Sequence, residues 1–149
     1  MSSGFRLTLT RQARYRFGVE FDDGTSLTVD EAAPLGGGDG PNPSRLLATA
    51  VGHCLSASLS FCLERAKVDL ADLRTTVDVR MERNDRGRLR IGGIAVTLDP
   101  RVAPEDLPRI QRCLDVFEDY CVVTESVRGG IPVEVSVHPA TAPETVAGT

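Results

Sequence analysis

Thiols are the groups in this sequence best suited to chemistry. There are four cysteines, Cys54, Cys62, Cys113 and Cys121, forming two pairs with the same spacing of eight residues. A cysteine thiolate attacks peroxides and disulfides, and it ligates soft metals. Both pairs fall in stretches that read as helix, and this restricts their pairing. Residues eight apart on a helix are separated by about 12 Å of rise, whereas a disulfide needs Cα atoms within roughly 7 Å. Neither pair closes on itself while helical. Of the three full pairings of four cysteines, two remain: Cys54–Cys121 with Cys62–Cys113, or Cys54–Cys113 with Cys62–Cys121. The plain alternative is four inert thiols acting as small buried hydrophobes. Metal binding is disfavoured, because there is no CxxC or HxxxH spacing and cysteines this far apart on one helix cannot share an ion at ~2.3 Å bonds.

The elements that position these thiols follow from patterning. Residues 4–10 alternate apolar and polar as a strand, Tyr15–Phe21 reads as a second, and Leu27–Val29 as a short third after the Asp22-Asp23-Gly24 turn. Pro34–Pro43 is a glycine- and proline-rich loop. Pro43 and Ser44 then open a helix reaching about Lys67. From Leu46 to Leu63 it carries no formal charge. That length suits a membrane span, but Thr49, Gly52, His53, Ser56, Ser58 and Ser60 make it too polar, so it reads as a central buried helix. Ala48, Gly52, Ser56 and Ser60 form a small-residue face that lets a neighbour approach closely. Leu47, Ala50, Val51, Cys54, Ser58, Phe61 and Cys62 form a second, mostly apolar stripe. Leu73–Glu82 and Leu89–Leu98 read as a hairpin around Asn84–Gly87. A second helix is expected from Pro104 to about Tyr120, a turn at Gly129-Gly130, and a last strand over Pro132–Val137.

The order is βββ-α-ββ-α-β, an α+β class of fold in one domain over residues 1–138, with a disordered tail over 139–149. If the first helix runs down, the hairpin runs up then down and the second helix runs up. Short connections on one shared face then make the helices antiparallel. This favours Cys54–Cys121 with Cys62–Cys113.

Composition narrows the function. The net charge is −4 over 149 residues and the pI about 5.2, against a nucleic-acid partner. The first residues hold no apolar run of signal-peptide length, so cytoplasm is the expected compartment. There a disulfide is more often transient and catalytic than structural.

Two segments carry a family resemblance. GGGDGPNPSRLLATAVGHCL (Gly36–Leu55) and YCVVTESVRGGIPVEVSV (Tyr120–Val137) together resemble the OsmC/Ohr family of thiol peroxidases. The marks are Asn-Pro then Leu-Leu, a Cys about three turns in, and a late Cys before a Gly-Gly-x-Pro strand. The resemblance implies an intertwined homodimer, its central helices clasped by sheets built from both chains, with active sites at the interface. It implies that Cys54 reacts with the peroxide and Cys121 resolves it, leaving Cys62 and Cys113 as core. It further implies organic hydroperoxide substrates, a lipoyl-type or other dithiol reductant, and no metal or organic cofactor; no membrane partner is expected.

The chemistry makes one further demand. An ordinary cysteine is only a few per cent thiolate at neutral pH. The dipole of its own helix fades within the first turn, and Cys54 lies some three turns in, so an activating cation is expected nearby. Family members use an arginine in the loop before the helix, held by a glutamate just after Asn-Pro. Here Ser44 stands at the glutamate position and no arginine lies between Phe17 and Ser44. The candidate cations are Arg45, Arg128, Arg14 and Arg16. Ser44 and His53 are candidate pocket residues, His53 as a packing or polar contact rather than a base. Cys121 is followed by Val122, where many relatives have proline. The competing reading is a diverged small-ligand-binding or redox-sensing protein on the same scaffold.

Overall fold

The computed structural model describes residues 3–143. Strands β1 (Leu7–Ala13), β2 (Arg16–Phe21) and β3 (Ser26–Val29) form an antiparallel sheet in that order. Helix α1 (Pro43–Arg65) follows, then β4 (Leu70–Arg83) and β5 (Leu89–Val102), paired as a long antiparallel ribbon. β3, β4 and β5 run longer than patterning alone delimits, β2 starts at Arg16 rather than Tyr15, and β1 is displaced from the expected 4–10 to Leu7–Ala13.

Local chemistry sets both ends of α1. The Asn42 Oδ1 accepts from the Arg45 N–H at 3.0 Å, with Pro43 in the first turn. At the far end the Val68 N–H bonds the Leu63 carbonyl (2.9 Å) and the Lys67 N–H bonds that of Glu64 (3.0 Å). Buried Val68 packs in the same apolar core as Leu63. This is a Schellman ending, and it puts Lys67, the only lysine, at φ 59° in the left-handed region usually left to glycine. The loop before α1 is tied by buried Asp30, whose carboxylate accepts from the N–H groups of Glu31, Gly37 and Asp39.

The buried face of α1 is Ala48, Val51, Gly52, Leu55, Leu59 and Leu63, and Leu59 and Leu63 are almost fully enclosed. The expected small-residue face holds, because it meets β4. A Cβ on Gly52 would lie 2.7 Å from Val77 Cγ2, and the Ser56 and Thr75 hydroxyls are 2.5 Å apart. The expected apolar stripe is displaced: Phe61 is exposed and Leu55, Leu59 and Leu63 take its place. By length and composition α1 could cross a membrane, but its leucines pack against Val68, Ile110, Cys113, Phe117 and Cys121.

Beyond β5 the chain departs from expectation. The helix foreseen over 104–120 is three short pieces: a 3-10 helix (Pro104–Arg109), α2 (Gln111–Val116) and a second 3-10 helix (Phe117–Tyr120). Pro108 lies inside the first piece; it lacks an N–H and its ring crowds the carbonyl four residues back. Val116, at φ −125°, breaks the path again. Cys121 is extended, with φ −85° and ψ 96°, and starts an unforeseen helix, α3 (Val122–Gly129). The strand expected over Pro132–Val137 is not formed: these residues join no ladder, and Ile131, Val133, Val135 and Val137 are exposed. A strand needs a partner edge, and no edge of this chain's two sheets receives it. Of the expected disordered tail, residues 139–143 carry no regular structure, and 144–149 lie outside the described residues.

Candidate active site

The cysteines meet in the pairing that antiparallel packing favours. Cys62 on α1 is bonded to Cys113 on α2, with Cα atoms 5.7 Å apart. Both were expected as plain core residues; Cys113 is indeed buried, but the two are joined. Cys54 and Cys121 are free thiols that lie close enough to shift each other's titration. Cys54 sits in mid-α1 and is half-buried, while Cys121 is fully enclosed at the N-terminal cap of α3.

The start of α3 explains the electrostatics. Its first N–H groups have no partner within the helix, and Cys121 makes no side-chain cap bond to them. The sulfur of Cys54 takes that place. Burial pushes the Cys54 thiol upward and is the largest single influence. It is outweighed by the hydrogen bond from Cys121 together with the backbone N–H groups of Val123, Thr124 and Val122, and Cys54 titrates below the ordinary thiol range. Cys121 moves the other way: burial raises it, and so does its bond to Cys54, against the lowering influence of Thr124, whose Oγ1 lies 2.9 Å from the sulfur. The two thiols are thus shifted in opposite directions, Cys54 toward the thiolate and Cys121 toward the thiol. The influences that lower Cys54 come from Cys121 and from amides at a helix N-terminus, and no arginine is among the principal ones.

Three of the four candidate arginines, Arg16, Arg14 and Arg128, have partners in the chain. Arg16 pairs with Asp39 at 2.9 Å, and Arg14 lies over the Tyr15 ring. Arg128 bonds Glu118 at 2.7 Å and Glu125 at 2.5 Å, and these carboxylates raise its pKa further. Arg45 and Ser44 line a cavity of about 600 Å³ between α1 and β4, with Val77, Val79 and Met81. His53 is exposed. Beside the thiols lies a mostly apolar cavity of about 400 Å³, lined by Val51, Leu55, Ile94, Phe117, Thr124 and Val127, with Arg128 and Glu118 also on its wall. Thr124 is shared between this cavity and the cysteine pair. Among the described residues, no group of three or more His, Cys, Asp or Glu gathers to hold a metal.

Sequence reasoning missed the amides of Val122, Val123 and Thr124, and the Thr124 hydroxyl. A signal was present: Glu125 in the first turn, Arg128 in the last and Gly129-Gly130 after it are helix-terminus marks.

The fold and the divided thiol pair define an α+β protein with a cysteine couple seated on a helix terminus. The chain belongs to the OsmC family: the model of OsmC-like proteins matches residues 36–136. Solved structures share the fold. An OsmC-like protein of unknown function from Vibrio cholerae superposes with a TM-score of 0.72 at 12% identity, covering 84% of this chain and 94% of that one. An organic hydroperoxide resistance protein OsmC from Legionella pneumophila gives 0.60 at 20%, covering 85% and 90%. The organic hydroperoxide resistance protein OhrB of Bacillus subtilis gives 0.58 at 22%, covering 85% and 92%. No curated protein matches the sequence significantly.

Proposed function

We propose that the protein is a thiol peroxidase that reduces organic hydroperoxides through Cys54, with Cys121 resolving. The observation that carries this reading is the division of the pair: Cys54 is lowered by Cys121 and by the amides of α3, while its neighbour Cys121 is raised. The Cys54 thiolate attacks the outer oxygen of ROOH and the O–O bond breaks. Cys54 becomes a sulfenic acid, and the departing alkoxide takes a proton from water to leave as ROH. The Cys121 thiol then condenses with the sulfenic acid, forming the Cys54–Cys121 disulfide and releasing water. An external dithiol, lipoyl-type or other, reduces this disulfide by exchange and is itself oxidised to a disulfide. The apolar cavity beside the pair has the volume of a small-ligand site and suits the organic group of the substrate. The names of the Legionella and Bacillus neighbours agree with this substrate class.

The functional unit in this reading is a cytoplasmic homodimer. The chain exposes 12041 Å², against about 7,400 Å² for a compact monomer of its mass. The alternating Ile131, Val133, Val135 and Val137 are all exposed, an arrangement that a second copy's sheet edge would cover. Sedimentation at micromolar concentration is expected to give twice the 16.0 kDa chain mass; a species at the chain mass refutes the dimer.

Thiol titration after a stoichiometric dose of cumene hydroperoxide tests the activity. Loss of both free thiols is expected, abolished by Cys54→Ser, whereas Cys121→Ser leaves a sulfenic acid. If neither thiol is consumed over minutes, the peroxidase reading fails and the cavity favours small-ligand binding on the same scaffold.

A further inference from the structure

The Cys62–Cys113 bond lies outside the reaction just described, yet it joins the two segments that carry it. Cys54 and Cys62 share α1, two turns apart, and Cys113 and Cys121 share the segment that follows β5. The rise of about 12 Å between positions eight apart on a helix prevents direct exchange between Cys62 and Cys54 while α1 is intact. The bond therefore acts through geometry.

The segment it anchors has little intrinsic order. Between Ala103 and Cys121 there are only two 3-10 turns and the six-residue α2, none with a side-chain cap at its start. Helices this short are not stable in isolation. Ile110, Cys113 and Phe117 bury themselves against α1, and Arg109 bonds the Ala66 carbonyl at 2.7 Å. Beyond Phe117 the chain turns to present Cys121, whose N–H bonds the Glu118 carbonyl, and then the α3 amides that hold the Cys54 sulfur. Everything that meets Cys54 from this side is thus carried on the chain just beyond Cys113.

We propose that the Cys62–Cys113 disulfide is a positioning bond for the reactive pair: by pinning α2 to α1 it sets the effective concentration of Cys121 at Cys54. The inference rests on the assignment of Cys54 and Cys121 as the reactive couple. A dithiol that reduces the bond by exchange, leaving Cys62 and Cys113 as thiols and itself becoming a disulfide, loosens the presentation of Cys121 without touching either reactive sulfur.

The test measures the equilibrium between Cys54–Cys121 dithiol and disulfide in glutathione redox buffers, for the parent protein and for Cys62→Ala/Cys113→Ala. The expected result is an effective concentration lower by at least about tenfold in the variant; a smaller fall overturns the proposal. This readout needs no hydroperoxide, so failure of peroxide consumption would refute the peroxidase reading alone. A second measurement uses no change at Cys62 or Cys113. In Cys54→Ser/Cys121→Ser, cutting the remaining disulfide with dithiothreitol is expected to speed amide exchange over residues 117–124 by about tenfold or more. Unchanged exchange there overturns the proposal as well.

Discussion

Breaking the Cys62–Cys113 bond should cost a large part of the protein's stability, and the sequence separation it spans sets the scale. The bond closes a loop of 51 residues. In the chain-entropy description, such a crosslink removes about 14 cal/mol/K from the unfolded ensemble, or ~4 kcal/mol at 25 °C. Unfolding entropy of ~2.1 cal/mol/K per residue gives roughly 310 cal/mol/K for this chain, so Tm should fall by about 13 °C. Replacing both cysteines with alanine also empties side-chain volume at buried Cys113, which adds to the loss. The clean perturbation is therefore chemical: Cys54→Ser/Cys121→Ser is heated with and without dithiothreitol, at fixed protein concentration because association also shifts Tm. Far-ultraviolet circular dichroism follows unfolding, and alkylation with mass spectrometry counts the thiols. A drop near the estimate supports the covalent tie between α1 and α2. A Tm unchanged on full reduction would falsify both the entropic account and the claim that the segment after β5 depends on the bond.

Other outcomes follow from the same geometry. Because Cys54 titrates lower in the fold than in the unfolded chain, its thiolate contributes stability that is complete above the unfolded thiol pKa and is lost as pH falls through the folded value. Iodoacetamide should accordingly label Cys54 before Cys121 as pH rises, and the reverse order would contradict the division of roles. Val122→Pro removes one amide that holds Cys54 while keeping α3, since proline suits the first helical position. A hydrogen bond to a charged group is worth ~1.5 kcal/mol or more, so peroxide reaction at neutral pH should slow by about tenfold or more; no slowing would count against amide stabilisation. Gly52→Ala forces a methyl to 2.7 Å from Val77 and should destabilise by ~1–3 kcal/mol, with Val77→Ala partly restoring stability in a double-mutant cycle. Lys67→Gly relieves a left-handed residue and should raise the urea midpoint, by roughly 0.5–1 kcal/mol of stability; a fall would refute the strain.

The parts legible from sequence were those governed by local rules. Alternation located all five strands, and Asn42-Pro43 located the start of α1. The recurrence of Ala48, Gly52, Ser56 and Ser60 announced the close approach of β4. The segment after β5 was misread because its apolar spacing is helical while its backbone is not. Pro108 and Val116 interrupt it, and extended Cys121 makes a fresh helix start where continuation to Tyr120 had been expected. Exposure of Phe61 alongside burial of Leu59 shows a different limit. On a helix with apolar residues on several sides, the buried face is chosen by the neighbour, here the segment carrying Ile110, Cys113 and Phe117.

By itself the sequence narrowed which thiols meet. Two eight-residue spacings, a helical rise too long for closure within a pair, and an antiparallel return favour Cys54 facing Cys121 and Cys62 facing Cys113. Only the tertiary structure decided what the meeting does. Four thiols are chemically alike along a chain. They become a disulfide, a stabilised sulfur and a donor because α3 begins at Cys121 and turns its free N–H groups toward Cys54. A charge favoured by backbone amides leaves no mark in side-chain identity, so the amides of α3 were not among the candidates that the residues offered.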